Sequence, residues 1–373
     1  MTIKLSKTRQ ELINTLKNRG LIVPDNNVAL NIFTRLNYFQ VINGLENILL
    51  DNSNPKRFTH TSINDFVSLY ESNQKLSKVI LSKLDSFEES LRSSIAYHFT
   101  RHNCYDINDT MQYTNVNKYR NISLEHNYPL MDEQYKQYIN TFQAKLDPNN
   151  NRVWQYFILF QPGFLTKLIN NNDYINLSFY QDNTYNAPNG VAVYRDSSHQ
   201  NHQDVAVPFW VAIETLTFGQ LLYLCHYLKN PEMKGVLNDF GFTFEERTLF
   251  LNSLDVLKEL RNHLAHGNLV FRFSTPKHIK FNNVFVNYFE LSPSSSGSSR
   301  NNTRRNYASV IYLYDTLKVL SRFENIKDVV KQIKKIFYIN QKNIHNPAVN
   351  SKILQLMGAP SYQDLKHLNK IKF

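Results

Sequence analysis

The 373-residue sequence predicts a mainly α-helical protein, and three stretches carry that reading. Between 62 and 101, Phe66, Leu69, Tyr70, Leu76, Ile80, Leu84, Phe87, Leu91, Ile95 and Phe99 recur at threes and fours, the repeat of one helix face. The run that opens at Pro208 is apolar almost throughout its first turns. From Thr243 to Leu260 apolar and polar faces separate cleanly.

Taken in order, the chain opens with a short amphipathic helix over 6–19, with Ser6 as its cap, Leu12, Ile13 and Leu16 buried, and Gly20 as its stop. Asp25 restarts helix, running through Phe39 toward Leu50. The long pattern from Ser62 to Arg101 exceeds ordinary helix lengths, so a break is expected near Ser72-Asn73. Within it, Glu88 and Arg92 are four residues apart and should pair on the surface.

Residues 102–206 are rich in Asn, Tyr and Asp and read as a polar insertion, with helices at 131–146 and 152–170. His199 and His202 have a spacing that a metal could use, but no nearby Cys or acidic cluster completes a set. Pro208 sits in the first turn of the apolar helix, where Glu214 either serves as counter-ion to an arginine or points outward, and Pro231 should close the element. After Gly267 the period changes: Val270–Phe273 and 279–289 read as strands of a small β-hairpin. The Ser-rich stretch 292–302 is a loop, 308–323 an amphipathic helix, and a further helix starts near Pro347. The expected segments are 1–101, 102–206, 207–325 and 326–373.

The most informative stretch is Arg261-Asn262-His263-Leu264-Ala265-His266-Gly267, at the end of the helix that Thr243 should cap and Gly267 should stop. On a helical wheel centred on Leu254, Arg261 falls at about 340°, inside the apolar arc, while Asp255, Glu259, Asn262 and His266 take the opposite face. Arginine suits a core-facing position only when it is paired or lines a site. Arginine is a fixed cation and an imidazole can take up and give back a proton, so Arg261 and His266 together suit phosphate-ester chemistry. The two lie roughly 140° apart on an ideal helix, so either the last turn unwinds at Gly267 to bring them together or, the favoured arrangement, two copies meeting across a two-fold axis pool them.

Composition narrows the partners. Lys and Arg number 42 against 31 Asp and Glu, a net charge of +11. From Lys318 onward eleven basic residues face three acids, so +8 of that excess lies in the tail. Lys327, Lys331, Lys334 and Lys335 are spaced to share one helix face, a candidate RNA contact. Two cysteines, Cys104 and Cys225, form no disulfide framework, and no run approaches bilayer length, so a cytoplasmic protein without membrane contact is expected. With 10 glycines and no Gly-rich phosphate loop, P-loop and Rossmann chemistries are disfavoured.

Arg261-Asn262, three residues, then His266 resembles the Arg, polar residue, three others, His motif of HEPN ribonucleases. The run from Pro208-Phe-Trp to Glu214-Thr-Leu-Thr-Phe-Gly219, the stretch from Glu88 to Arg92-Ser-Ser-Ile-Ala96, and Lys17-Asn-Arg-Gly-Leu21 look like segments of the AbiD/AbiF-like abortive-infection proteins. The resemblance covers residues 5–270. It implies a HEPN-type helical bundle, a role in bacterial defence against phage, and RNA cleavage that needs no metal or other cofactor. It also implies a homodimer through the motif helix and, as in some members, a toxin held in check by a structured noncoding RNA. Arg261, Asn262 and His266 would be the catalytic residues, with His263, Glu214, Glu88 and Arg92 in support.

Overall fold

The computed structural model describes residues 6–51, 56–120, 157–276, 281, 283–291 and 310–370. The chain divides into two compact units, one from 1–85, 259–276 and 310–373, the other from 86–258 and 277–309.

Helix α1 (Arg9–Asn18) starts one residue pair later than expected, because Thr8 and not Ser6 closes a capping box with Glu11. Asp25 caps α2 (Asn26–Arg35) as expected, accepting from the Asn27 N–H. The chain then breaks at extended Leu36, passes through a π-helical turn (Phe39–Asn43) and ends in the single turn α3 (Glu46–Leu49).

Helix α4 (Ile63–Asn103) runs unbroken for 41 residues, and the expected interruption at Ser72-Asn73 is absent. Both residues are buried, and the Asn73 Oδ1 accepts from the Phe271 N–H at 3.3 Å. Their polarity thus serves tertiary packing rather than a surface turn. The stripe from Phe66 to Phe99 is buried as the spacing predicts.

In the other unit the polar composition conceals an aromatic core. Tyr113 stacks on Phe209 at 4.8 Å and Phe99 on Tyr119 at 4.9 Å; the Tyr113 hydroxyl donates to Val207 O. The expected helix 131–146 lies outside the described residues. That at 152–170 is described only from 157, where it is a 3-10 turn (Ile158–Phe160) and α5 (Phe164–Asn170). Pro162 accounts for the break, since the residue before a proline is pushed to extended backbone, as Gln161 is. Strands β1 (Tyr194–Arg195) and β2 (Asn201–His202) form a two-residue antiparallel hairpin.

The apolar run after Pro208 is two elements, α6 (Phe209–Ala212) and α7 (Phe218–Tyr227), because Thr217 and Gln220 form a capping box that restarts the helix. Pro231 opens rather than closes an element: it occupies the first turn of α8 (Asn230–Asp239). Gly235 lets α8 close on α4, since a Cβ there would stand 2.1 Å from His98 Nδ1.

Helix α9 (Arg247–Ala265) follows a turn in which the Thr243 N–H donates to Glu246 Oε2. Its first residue, Arg247, is buried and donates to the carbonyls of Cys225, His226 and Leu228, closing the C-terminus of α7.

Among the described residues, the stretches expected to form a β-hairpin after the motif are helical, and the small hairpin lies at 194–202. Val270–Arg272 is a 3-10 turn and Asn283–Tyr288 is helix α10. Val270, Phe271 and Phe273 are all buried, so their apolarity never marked a half-exposed strand. Phe281 stacks on Phe285 at 5.2 Å and Phe285 meets Phe289 at a tilt at 5.0 Å, a spacing of four that belongs to a helix face. The tail forms α11 (Leu313–Ser321), α12 (Lys327–Asn343), α13 (Val349–Met357) and α14 (Tyr362–His367). Helix α11 is buried nearly all round, with the Asp315–Lys318 pair at 3.1 Å inside it, rather than amphipathic as expected.

Candidate functional site

Helix α9 ends as its sequence predicts. Gly267 takes φ +68°, its N–H donates to Leu264 O at 2.9 Å, and the Asn268 N–H donates to His263 O at 3.2 Å. These two bonds close a Schellman motif, which turns the chain sharply after His266. His266 caps the helix with its ring exposed, while Arg261 and Asn262 are half-buried in the preceding turn.

His263 has a structural task at the end of α9. Its Nε2 lies 2.9 Å from Leu269 O, a carbonyl that can only accept, so Nε2 carries the proton. The ring meets Phe273 edge-on at 5.3 Å, and burial pushes its pKa below the usual imidazole value. Two further bonds hold the returning strand of chain: the Phe271 N–H on Asn73, and Arg272 Nη1 donating to Gly44 O at 3.2 Å. Residues 268–273 are therefore fastened at three points, and that bracket fixes the backbone from which His266 projects. Earlier in α9, Asp255, which the wheel places on the polar face, is buried, as are Asn252 and Ser253 beside it.

A second charged group belongs to the other unit. Arg92 Nη2 lies 2.6 Å from Glu88 Oε1 and donates to Leu216 O at 3.0 Å. The pair expected on the surface is nearly buried, with side-chain exposures of 16% and 7%. Glu214 stands 3.9 Å from Arg92 Nε and is exposed, so the buried counter-ion is Glu88.

Helix α12 presents the basic face read from the sequence. Lys327, Lys331, Lys334 and Lys335 are exposed, opposite buried Val329, Val330, Ile333, Ile336 and Phe337. Tyr338 and Lys342 are exposed four residues on from Lys334 and Tyr338, so they extend the row. Sequence reasoning passed over both, although the same spacing could have found them.

His199 and His202 do not converge: His202 Nε2 pairs with Asp196 Oδ2 at 2.9 Å, and His199 turns to Ser197 O. Among the described residues no group of three or more His, Cys, Asp or Glu is placed to hold a metal, and no helix is long and apolar enough to cross a membrane.

The family model described as Abi-like protein matches residues 31–272, from α2 through the motif and its bracketed turn. The chain belongs to the Abi-like protein family. No curated protein and no solved structure gives a significant match. For this Abi-like protein, membership points to abortive-infection defence against phage, and the stretch from Arg261 to His266 lies inside the matched region.

Proposed function

We propose that this Abi-like protein is a metal-independent HEPN endoribonuclease, a toxin or effector of abortive infection whose activity a bound structured noncoding RNA controls. The observation that carries the reading is Arg261-Asn262…His266 at a braced helix end, with His266 exposed.

RNA supplies its own nucleophile. His266 takes the proton of a 2′-hydroxyl as that oxygen attacks the adjacent phosphorus, and the bond to the 5′-oxygen breaks. The departing oxygen gains a proton, from the His266 of either copy in a dimer. Arg261 neutralises the non-bridging oxygens, and Asn262 orients the imidazole or the phosphate. The products are a 2′,3′-cyclic phosphate and a 5′-hydroxyl. Because Arg261 and His266 lie roughly 140° apart on an ideal helix, a homodimer through the motif helix supplies the missing half of each site. Incubating purified protein with mixed RNA in EDTA tests the reading: wild type cleaves and His266→Ala does not.

The exposed basic face of α12 favours a second reading, a non-catalytic RNA-binding module. It predicts steeply salt-dependent binding without strand breaks, unchanged in His266→Ala.

A further inference from the structure

At the C-terminal end of α12 lies a cleft of about 460 Å³, within the ~300–1,000 Å³ typical of small-ligand sites. Its polar lining includes Asn340, Gln341, His345 and Asn350, with Ile344 and Val349 supplying apolar surface. All of it belongs to one unit.

The hydrogen bonds fix how one wall is oriented. Asn350 Nδ2 donates to Phe337 O at 3.1 Å, and since a carbonyl can only accept, Asn350 must turn its Oδ1 toward Asn340. Asn340 answers with its Nδ2 at 3.0 Å. That leaves the Asn340 Oδ1 as an acceptor with no partner among the described residues, on a side chain only 2% exposed. A buried acceptor in that state is costly unless something donates to it. Gln341 and His345, both exposed, add an amide and a ring at the rim.

The approach to the cleft is basic. Lys334, Tyr338 and Gln341 follow one another at four and three residues along the exposed side of α12, so the lysine row leads directly to the rim. A row of lysines tracks a phosphate backbone, and an exposed tyrosine gives a base a surface to stack on. Amides that offer donor and acceptor together match the adenine edge, whose amino group donates while its ring nitrogen accepts.

We propose that this cleft is a nucleobase pocket that takes an unpaired adenine of a single-stranded RNA lying along α12. The proposal rests on reading the α12 lysines as an RNA contact, and it adds sequence preference to a contact that lysines alone would make without one.

The test is fluorescence anisotropy on the full chain with uncleavable 2′-O-methyl oligo(A), oligo(C) and oligo(U). Oligo(A) should bind roughly tenfold tighter than oligo(U). Gln341→Ala/His345→Ala should erase that difference and leave the salt dependence unchanged. Lys331→Ala/Lys334→Ala should weaken every oligomer and flatten the salt dependence. Equal binding of all three, or a preference for another base, overturns the pocket while leaving the lysine contact standing. Absence of binding to any oligomer at low salt overturns the lysine contact and the pocket with it. Circular dichroism verifies folding of each variant, and Gln341→Glu, which removes the amide donor while keeping the shape, provides a second route to the same loss of preference.

Discussion

The His263 imidazole and the Leu269 carbonyl, six residues apart in sequence, are joined by a 2.9 Å hydrogen bond across the turn that follows the motif. This bond ties the end of α9 to the chain returning from it. His263→Ala leaves that carbonyl without its donor and removes the contact with Phe273, so a loss of about 2 kcal/mol is expected. Urea denaturation measures it. Cleavage by this variant should persist below its melting temperature, in contrast with His266→Ala.

Stability should fall on acidification in a window set by buried imidazoles. Burial, with the charge of Arg247 adding, holds the His226 pKa down at about 3, and burial lowers that of His263. The His226 ring stays neutral in the folded chain far below the pH of ~6.5 at which an unfolded imidazole takes up its proton, and the His263 ring departs in the same direction. The contribution is therefore complete above about pH 6.5 and is lost as pH falls toward 3, at up to ~1.4 kcal/mol per pH unit per group. Denaturation midpoints between pH 7.5 and 4.5 should show this slope, and His226→Leu should reduce it.

The Glu88–Arg92 pair is buried enough for its two halves to be unequal to their sum. Glu88→Leu strands the guanidinium and should cost about 3 kcal/mol or more, and Glu88→Leu/Arg92→Leu should recover most of that loss. Glu214→Ala, at an exposed and distant partner, should change stability by less than about 0.5 kcal/mol. Equal costs for Glu88 and Glu214 would contradict the assignment of Glu88 as the buried counter-ion.

The composite site predicts that cleavage per chain falls on dilution together with the dimer. Sedimentation velocity paired with activity over the same concentrations checks this. A monomer that retains full activity would remove the two-fold arrangement from the account.

What the sequence made legible follows from physics that acts locally. The stripe of α4, the Gly267 stop and the lysine face of α12 each depend on residues within a turn of one another. The misreadings arose where distant chain decides. Asn73 resembles a helix breaker until Phe271 supplies a partner for it, and Phe271 resembles a strand residue until its burial is seen. Pro231 and Thr217 punctuate helices, and each marks a start where a stop or a continuation was expected. At the candidate site the motif was visible in full. The role of His263 was not, because its partner lies beyond the turn.

The most direct measurement is the chemistry of the ends left on cleaved RNA, in EDTA, by wild type and His266→Ala. Wild type should leave 2′,3′-cyclic phosphate and 5′-hydroxyl ends, the folded variant should cleave at least ~100-fold more slowly, and the 2′-O-methyl substrate should not be cleaved. Ends of the opposite polarity, or equal cleavage by His266→Ala, would contradict the proposed mechanism.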